Sequence, residues 1–195
     1  MRKIFAVLLV FIISVQIHAQ EVTRMIALSP GLNIEHSGDL GEKSLCVSGN
    51  FSIPFSSTLA LRLGAGYHVF RNNASGDMEI LSLMPGVYIK LPFFKPKFET
   101  YLTAGGGLLQ FSKNNHIRNI WVLDTNTGLF NLESTPLPGY KKTKIGAEAG
   151  GGIRYYYSVS SGLFLEYRYI TGFTENEMTA FSAIQAGILI RLRRY

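Results

Sequence analysis

The sequence predicts an all-β fold, an eight-stranded antiparallel up-and-down transmembrane β-barrel. Three observations predict it. Apolar residues alternate with small or polar ones along eight segments, the links between these segments are alternately short and long, and the chain of 195 residues is 47% hydrophobic but only 16% charged. Successive side chains of a strand point to opposite faces, so a strand between lipid and a packed lumen needs this period of two.

Residues 1–19 have the order of a secretory signal peptide. Arg2 and Lys3 precede a run of apolar residues, and the small residue Ala19 stands where a cleavage site is expected. We expect cleavage after Ala19, which leaves residues 20–195 as one outer-membrane barrel domain. An uncleaved anchor helix is the alternative, but the apolar run is short for a span of about 20 residues.

The alternation is clearest from Thr58 to Phe70. Odd positions from 59 to 69 hold leucine, alanine, tyrosine and valine, and even positions from 60 to 68 hold alanine, arginine, glycine and histidine. A helix would scatter these two sets around its circumference, so the segment is predicted to be a strand. The eight predicted strands are Thr23 to Ile34, Ser44 to Ile53, Thr58 to Phe70, Glu79 to Leu91, Phe98 to Leu109, Lys144 to Tyr157, Gly162 to Thr171 and Phe181 to Arg193.

The links between these strands fall into two classes. Short links follow the second, fourth and sixth strands, and longer, more polar links follow the first, third, fifth and seventh. The short links are 54–57, 92–97 and 158–161, and the long links are 35–43, 71–78, 112–143 and 172–180. Transmembrane barrels have short turns in the periplasm and long loops outside the cell, so both chain ends are predicted to be periplasmic.

The two faces of the predicted strands differ in composition. One face is almost purely Leu, Ile, Val, Ala and Tyr, whereas a soluble barrel or lipocalin would turn such residues inward. Eight charged residues are predicted to face the lumen. They are Arg62, Lys90, Glu99, Glu148, Arg154, Glu166, Arg168 and Arg191. Because eight strands leave space only for side chains, we expect a salt-bridged network that plugs the lumen, with a gate or ion-selective lining as the alternative.

Four features together resemble the small outer-membrane β-barrel superfamily, which includes eight-stranded domains similar to OmpA and OmpX. They are the signal peptide, the Leu-Met-Pro-Gly-Val-Tyr stretch from Leu83 to Tyr88, the Tyr-Leu-Thr-Ala-Gly-Gly-Gly stretch from Tyr101 to Gly107, and a last strand that reaches the C-terminus. The resemblance covers nearly the whole mature chain, by pattern. It implies a porin-like or OmpA-like protein in the outer membrane of a Gram-negative bacterium, in contact with lipid and lipopolysaccharide.

The resemblance also implies insertion by the barrel-assembly machinery. Members often end in an aromatic residue that is in register with the outward apolar row. Here Tyr195 lies on the opposite parity to Leu192 and Ile190, which is a departure from that pattern.

Candidate catalytic residues are few. Some barrels similar to this one are lipid A deacylases or acyltransferases that use His, Ser and an acidic residue near the outer rim. His68 is near the outer end of its strand, but no serine stands two positions away, and Asp77 and Glu79 lie across a loop. We interpret His68 as a lumen or rim histidine, and His36 and His116 as solvated loop residues. We therefore expect that the protein is not an enzyme and has no cofactor or metal site. A lipid A deacylase-like hydrolase is the alternative.

The link 112–143 is the most individual feature of the chain. Two apolar stretches, 120–123 and 129–132, flank the turn-forming residues 124–128, which predicts a hairpin beyond the membrane. Trp121 and Phe130 are candidates to contact a partner protein, a glycan or lipopolysaccharide. Packing of both side chains on the barrel rim is the alternative.

The charge of the mature chain does not favour a nucleic-acid partner. Of the 19 basic residues, removal of Arg2 and Lys3 leaves 17 against 13 acidic ones, and they are scattered. Cys46 is the only cysteine, so no intramolecular disulfide forms. We predict a barrel with a structural or surface-interaction role. The alternatives are a lipid A-modifying enzyme, a narrow pore and a secretion-system accessory barrel.

Overall fold

The computed structural model describes residues 24–36, 43–72, 76–91, 97–123, 130–174 and 177–192. The predicted signal peptide and Tyr195 lie outside these residues. The strands in the described part of the chain are β1 (Arg24–Glu35), β2 (Lys43–Pro54), β3 (Leu59–Arg71), β4 (Met78–Leu91), β5 (Phe98–Lys113), β6 (His116–Leu123), β7 (Phe130–Leu137), β8 (Tyr140–Tyr156), β9 (Ser161–Thr174) and β10 (Glu177–Leu192). No helix in that part is long and apolar enough to span a membrane.

Eight of these strands form a closed antiparallel barrel, as predicted. Going around the barrel, β5 pairs with β8, and β1 pairs with β10, while β6 and β7 form a separate two-stranded sheet. The seam between the first and last strands runs from Arg24 opposite Leu192 to Glu35 opposite Phe181. Because every barrel strand has two neighbours, no row of backbone N–H and C=O groups is left unpaired at an edge.

The two predicted faces of the strands are present. Along β3 the side chains alternate between exposed and buried, and Leu61 is 42% exposed whereas Arg62 is 2% exposed. The outer wall is therefore an almost continuous apolar surface. Its exposed members include Ile26, Leu28, Leu45, Val47, Leu81, Leu83, Leu102, Leu163, Leu165, Ile188 and Ile190.

The inside of the barrel is filled by side chains in layers. We call the end with Arg24, Leu192 and the short turns the turn end, and the opposite end the loop end. A buried apolar layer fills the lumen toward the loop end. It consists of Phe70, Met78, Ile80, Met84, Leu109, Phe111, Ile170 and Phe181. The eight charged residues predicted for the lumen lie between this layer and the turn end, whereas the buried Lys144 lies at the loop end, 4.8 Å from the Phe111 ring centroid.

The hairpin predicted in link 112–143 is longer than the sequence pattern indicates. His116 pairs with Leu137 at its base and Leu123 pairs with Phe130 near its tip. The backbone N–H of Gly139 donates to the side-chain oxygen of Asn115 at 2.6 Å, which fixes the chain between the barrel and the hairpin.

The strands that carry the hairpin also extend past the predicted bounds. The ladder between β5 and β8 continues to Ser112 opposite Lys141 and Lys113 opposite Tyr140. These positions do not alternate between apolar and polar, because beyond the apolar wall backbone pairing alone maintains the strand. The pattern therefore underestimated the strand length.

Candidate functional site

Glycines on the inner face make room for large side chains in the lumen. A Cβ atom built on Gly152 would lie 2.7 Å from the Tyr101 hydroxyl, and one on Gly150 would lie 3.0 Å from Cγ of Arg168. The first distance is shorter than a carbon atom tolerates, and the second is so short that Arg168 would have to shift. Gly150 and Gly152 therefore leave the space that Arg168 and Tyr101 occupy.

Four charged side chains form a closed ring of ion pairs midway along the lumen. We call Arg62, Glu148, Glu166 and Arg168 the central ring. Arg62 lies 2.8 Å from Glu166 and 3.7 Å from Glu148. Arg168 completes the ring at 3.1 Å from Glu148 and 2.9 Å from Glu166.

The central ring is deeply buried and electrically balanced. All four side chains are nearly inaccessible, and two positive charges face two negative ones. Removing one partner from a buried ion pair leaves an uncompensated charge in a low-dielectric site, which is strongly destabilising. The ring is therefore stable as a set of four and not as single pairs.

Neutral side chains satisfy more of the hydrogen-bonding groups of the central ring. Arg62 donates twice to the side-chain oxygen of Asn50, at 3.0 and 2.8 Å. Arg168 donates to Gln185 at 2.5 Å and to Ser48 at 3.1 Å. The Tyr101 hydroxyl donates to Glu166 at 2.7 Å. These contacts fix the ring to four further positions of the wall.

A second cluster lies closer to the turn end, and we call it the Glu99 cluster. Glu99 lies 3.0 Å from Lys90 and 3.1 Å from Arg154. It also accepts hydrogen bonds from the Tyr88 and Tyr156 hydroxyls. A single carboxylate thus faces two cations and two phenols.

Arg154 is held by aromatic rings as well as by Glu99. Its guanidinium lies 4.2 Å from the Tyr88 ring centroid and 4.5 Å from that of Tyr101. Tyr101 therefore touches both clusters, with its hydroxyl on Glu166 and its ring on Arg154. The eight charged residues predicted for the lumen do not form one network: seven divide into two clusters joined by a tyrosine.

The eighth residue, Arg191, stands apart. Its guanidinium lies 3.7 Å above the Tyr156 ring, and among the residues that the structure describes it joins neither ion-pair cluster.

His68 lies inside the lumen with both ring nitrogens in contact with polar neighbours. Nδ1 is 2.9 Å from the Asn33 side-chain oxygen and Nε2 is 3.3 Å from Ser82 Oγ. The ring meets Phe181 edge to face at 5.0 Å and is fully buried. A serine is present after all, on the neighbouring strand, but the apolar layer separates this group from the loop end.

The hairpin presents its apolar residues outward. Trp121 is 68% and Phe130 is 65% exposed, and the register places both on one face together with the exposed Ile117. Neither side chain is packed on the barrel rim, so this face is free for contact in the described part of the chain.

The architecture matches solved structures. Neisserial surface protein A aligns with a TM-score of 0.65 at 16% identity over 87% of this chain and 97% of that chain. This chain has the fold of the small outer-membrane β-barrels. Ail of Yersinia pestis aligns with this barrel at a TM-score of 0.49 and 11% identity, over 87% of this chain and 98% of that one. The N-terminal barrel domain of Pseudomonas aeruginosa OprF aligns at 0.48 and 11%, over 88% and 100%. The sequence of this barrel matches no protein-family model and no curated protein.

The sequence pattern places the uncharged residues of the lumen on the inner face but does not show that they hold the charged ones. Tyr88 and Tyr101 have the correct parity, but only the structure shows that their rings enclose Arg154. Gln185 and Asn50 likewise face inward in the pattern, and nothing in the sequence indicates which cation each one contacts. Inward parity was the available signal in the sequence. It does not show which residues meet across the lumen, because that depends on the stagger between strands.

Proposed function

We propose that this chain is an outer-membrane barrel with a structural or surface-interaction role, and that its lumen is closed to solutes. The central ring carries this proposal. It crosses the lumen at mid-height with buried, mutually paired charges, and the apolar layer lies directly above it. A solute would have to break buried ion pairs and displace packed aromatic side chains to pass.

The outer wall supports the membrane location. Only helices and closed barrels satisfy every backbone group in hydrocarbon, and this barrel combines closure with an apolar exterior. Exposed aromatic side chains lie near the turn end at Phe98, Tyr155 and Tyr157, which suits an interfacial girdle. We place the turn end in the periplasm and the loop end outside a Gram-negative cell, after removal of residues 1–19 and insertion by the barrel-assembly machinery.

Conductance tests the closed lumen. We expect no single-channel currents from the purified protein in planar bilayers, with insertion verified by heat-modifiable gel mobility. A variant that shortens the closing side chains, Arg62→Ala with Phe70→Ala and Phe181→Ala, is expected to conduct. Leu61→Ala with Leu63→Ala, on the outer face, is the matched control and should stay silent. Currents from the unmodified protein that respond to replacement of Arg62 or Glu166 would show a narrow pore instead.

The membrane location has its own test. We expect the mature chain to require detergent for extraction from the membrane fraction and to show β-sheet circular dichroism. A chain that stays in solution without detergent would overturn the proposal.

The hairpin supports a surface-interaction role. Ile117, Trp121 and Phe130 form an exposed apolar face, and such faces on long loops are often binding surfaces. We propose contact with lipopolysaccharide, a glycan or a partner protein here. Trp121→Ser with Phe130→Ser should abolish adhesion of barrel-displaying cells to the glycan or partner protein, without lowering the amount of barrel at the cell surface. Unchanged adhesion would exclude the hairpin as the binding surface.

We infer that the protein is not an enzyme. His68 and Ser82 resemble a catalytic pair, but they are enclosed in the lumen where a lipid cannot reach them. Lipid A composition is therefore expected to be the same in cells with the unmodified protein and with His68→Ala. If cells with the unmodified protein contain a modified lipid A that cells with His68→Ala lack, the protein is a lipid A-modifying enzyme.

A further inference from the structure

A polar cluster lies on the outer face of the wall, in the half of the seam between β1 and β10 nearer the loop end. His36 Nε2 is 2.7 Å from Ser182 Oγ, and the Tyr167 hydroxyl is 2.6 Å from the same oxygen. Ser182 belongs to the outward row, because its cross-strand partners Ile34 and Tyr169 are both exposed. We call His36, Tyr167 and Ser182 the wall cluster.

Apolar side chains lie on the wall beyond the wall cluster as well as below it. Phe173 is four residues beyond Tyr169 on β9, Met178 is four residues before Ser182 on β10, and both side chains are exposed. With a rise of about 3.3 Å per residue on tilted strands, these apolar side chains lie roughly 10 Å nearer the loop end. A hydrogen-bond donor without a partner is costly at the depth of the cluster.

The wall cluster has one donor more than its own contacts use. A serine, a tyrosine and a neutral histidine each carry one donating side-chain hydrogen, and the two contacts at Ser182 use two of the three. If Tyr167 donates to Ser182 and Ser182 donates to His36, the Nδ1–H of His36 is left over. In the reverse direction the tyrosine O–H is left over. Among the described residues, neither group has another partner.

We propose that the wall cluster binds an ester carbonyl oxygen of a lipid acyl chain in the outer leaflet. Acyl chains surround the wall here, and the ester oxygens that join these chains to the headgroup are acceptors without donors of their own. Phosphates lie nearer the loop end than these ester oxygens. The inference rests on the proposed membrane location and adds a defined lipid site to it.

A serine next to a histidine also suits nucleophilic catalysis, but the geometry favours binding. Ser182 is only 1% exposed, since the rings of its neighbours cover it, so the carbon of an ester cannot approach its oxygen. The backbone on both sides of Ser182 pairs with β1 and β9, which leaves no pair of N–H groups to stabilise an oxyanion.

The test compares two lipids that differ only in the ester oxygen. Diacyl phosphatidylethanolamine and its ether-linked analogue share headgroup and chain length. The purified barrel is incubated in detergent with equal amounts of the two lipids, and native mass spectrometry then measures how much of each it retains. We expect about fivefold more ester lipid than ether lipid, as for one net hydrogen bond.

Substitution of all three residues removes every donor. Any single substitution still leaves one, so the test variant is His36→Leu with Tyr167→Phe and Ser182→Ala, which keeps the surface apolar and should leave folding intact by heat-modifiable mobility. Its expected retention is equal for both lipids. Tyr67→Phe, an outward tyrosine on β3, is the matched control and should keep the preference for the ester lipid.

Three results would overturn the inference: equal retention of both lipids by the unmodified barrel, an ester preference that persists in the triple variant, or loss of the preference in Tyr67→Phe. If the barrel retains neither lipid and stays soluble without detergent, the membrane location itself fails, which is a different outcome.

Discussion

The central ring and the Glu99 cluster both hold charged side chains inside the barrel, but they balance these charges differently. In the ring two cations meet two carboxylates, all nearly inaccessible, whereas in the Glu99 cluster one carboxylate serves two cations, and the Lys90 side chain is 28% exposed. Aromatic rings and solvent near the turn end stabilise the second cation of the cluster, which is not possible at mid-height. Positive and negative charges must therefore match where water is excluded, whereas an excess of one charge is tolerated where water is near.

The strongest test of this comparison removes one charge from the ring. Glu166→Ala leaves Arg62 and Arg168 without their shared carboxylate, and we expect the free energy of unfolding to fall by about 3 to 5 kcal/mol. The fraction folded in lipid vesicles across a urea series, read from gel mobility, measures this. Glu166→Leu with Arg62→Met restores the balance and should lose less than Glu166→Ala alone; an equal or larger loss would contradict the balance argument.

Tyr101 links the two clusters, so its hydroxyl and its ring can be separated. Tyr101→Phe removes the hydrogen bond to Glu166 and keeps the ring against Arg154. We expect a loss of roughly 1.5 to 3 kcal/mol, typical of a hydrogen bond to a charged group. The same urea series measures it. If Tyr101→Phe costs nothing in the Glu166→Ala background, the Tyr101 hydroxyl stabilises the barrel through the central ring. Additive losses would show that the hydroxyl acts independently of the central ring.

Lys90 should matter much less than the ring residues. Its ammonium group is partly exposed and Glu99 keeps Arg154 as a partner, so Lys90→Met is expected to cost less than about 1 kcal/mol. Raising the salt concentration in the urea series should shrink this loss further. A loss as large as that of Glu166→Ala would mean that the turn end is as dry as mid-height.

Arg191 is expected to have the smallest effect. It stacks on Tyr156 near the turn end, and a cation–π contact at a partly exposed site is worth about 0.5 to 1 kcal/mol. Arg191→Met should therefore lower the urea midpoint only slightly, and Tyr156→Leu should abolish that difference. A large loss for Arg191→Met would place this residue in the Glu99 cluster after all.

Most of the fold follows from local pattern. The period of two along Leu59 to Arg71 assigns the wall and lumen faces, and the alternation of link lengths gives the antiparallel order of the strands. The extension of β8 to Tyr140 could not be predicted, because polar residues beyond the membrane carry no alternation.

The sequence predicts which residues lie in the lumen but not which of them contact each other. Parity places Arg62 and Glu166 in the lumen, but their 2.8 Å contact joins β3 to β9 across the barrel and depends on how the strands are staggered. His36 shows the same limit on the outside. The pattern assigned it to a solvated loop, whereas its ring folds back over the wall onto Ser182, because one residue past the strand is still within reach of the seam.

The pairing of the first and last strands at the seam has a consequence for biogenesis. Arg24 lies opposite Leu192, so the cylinder is complete only when the final strand has arrived. A product that stops short of that strand would not be a smaller cylinder but an open ribbon with two bare margins, unable to reside in hydrocarbon. Synthesis errors near the carboxyl end are thereby excluded from the membrane by the geometry of the sheet itself.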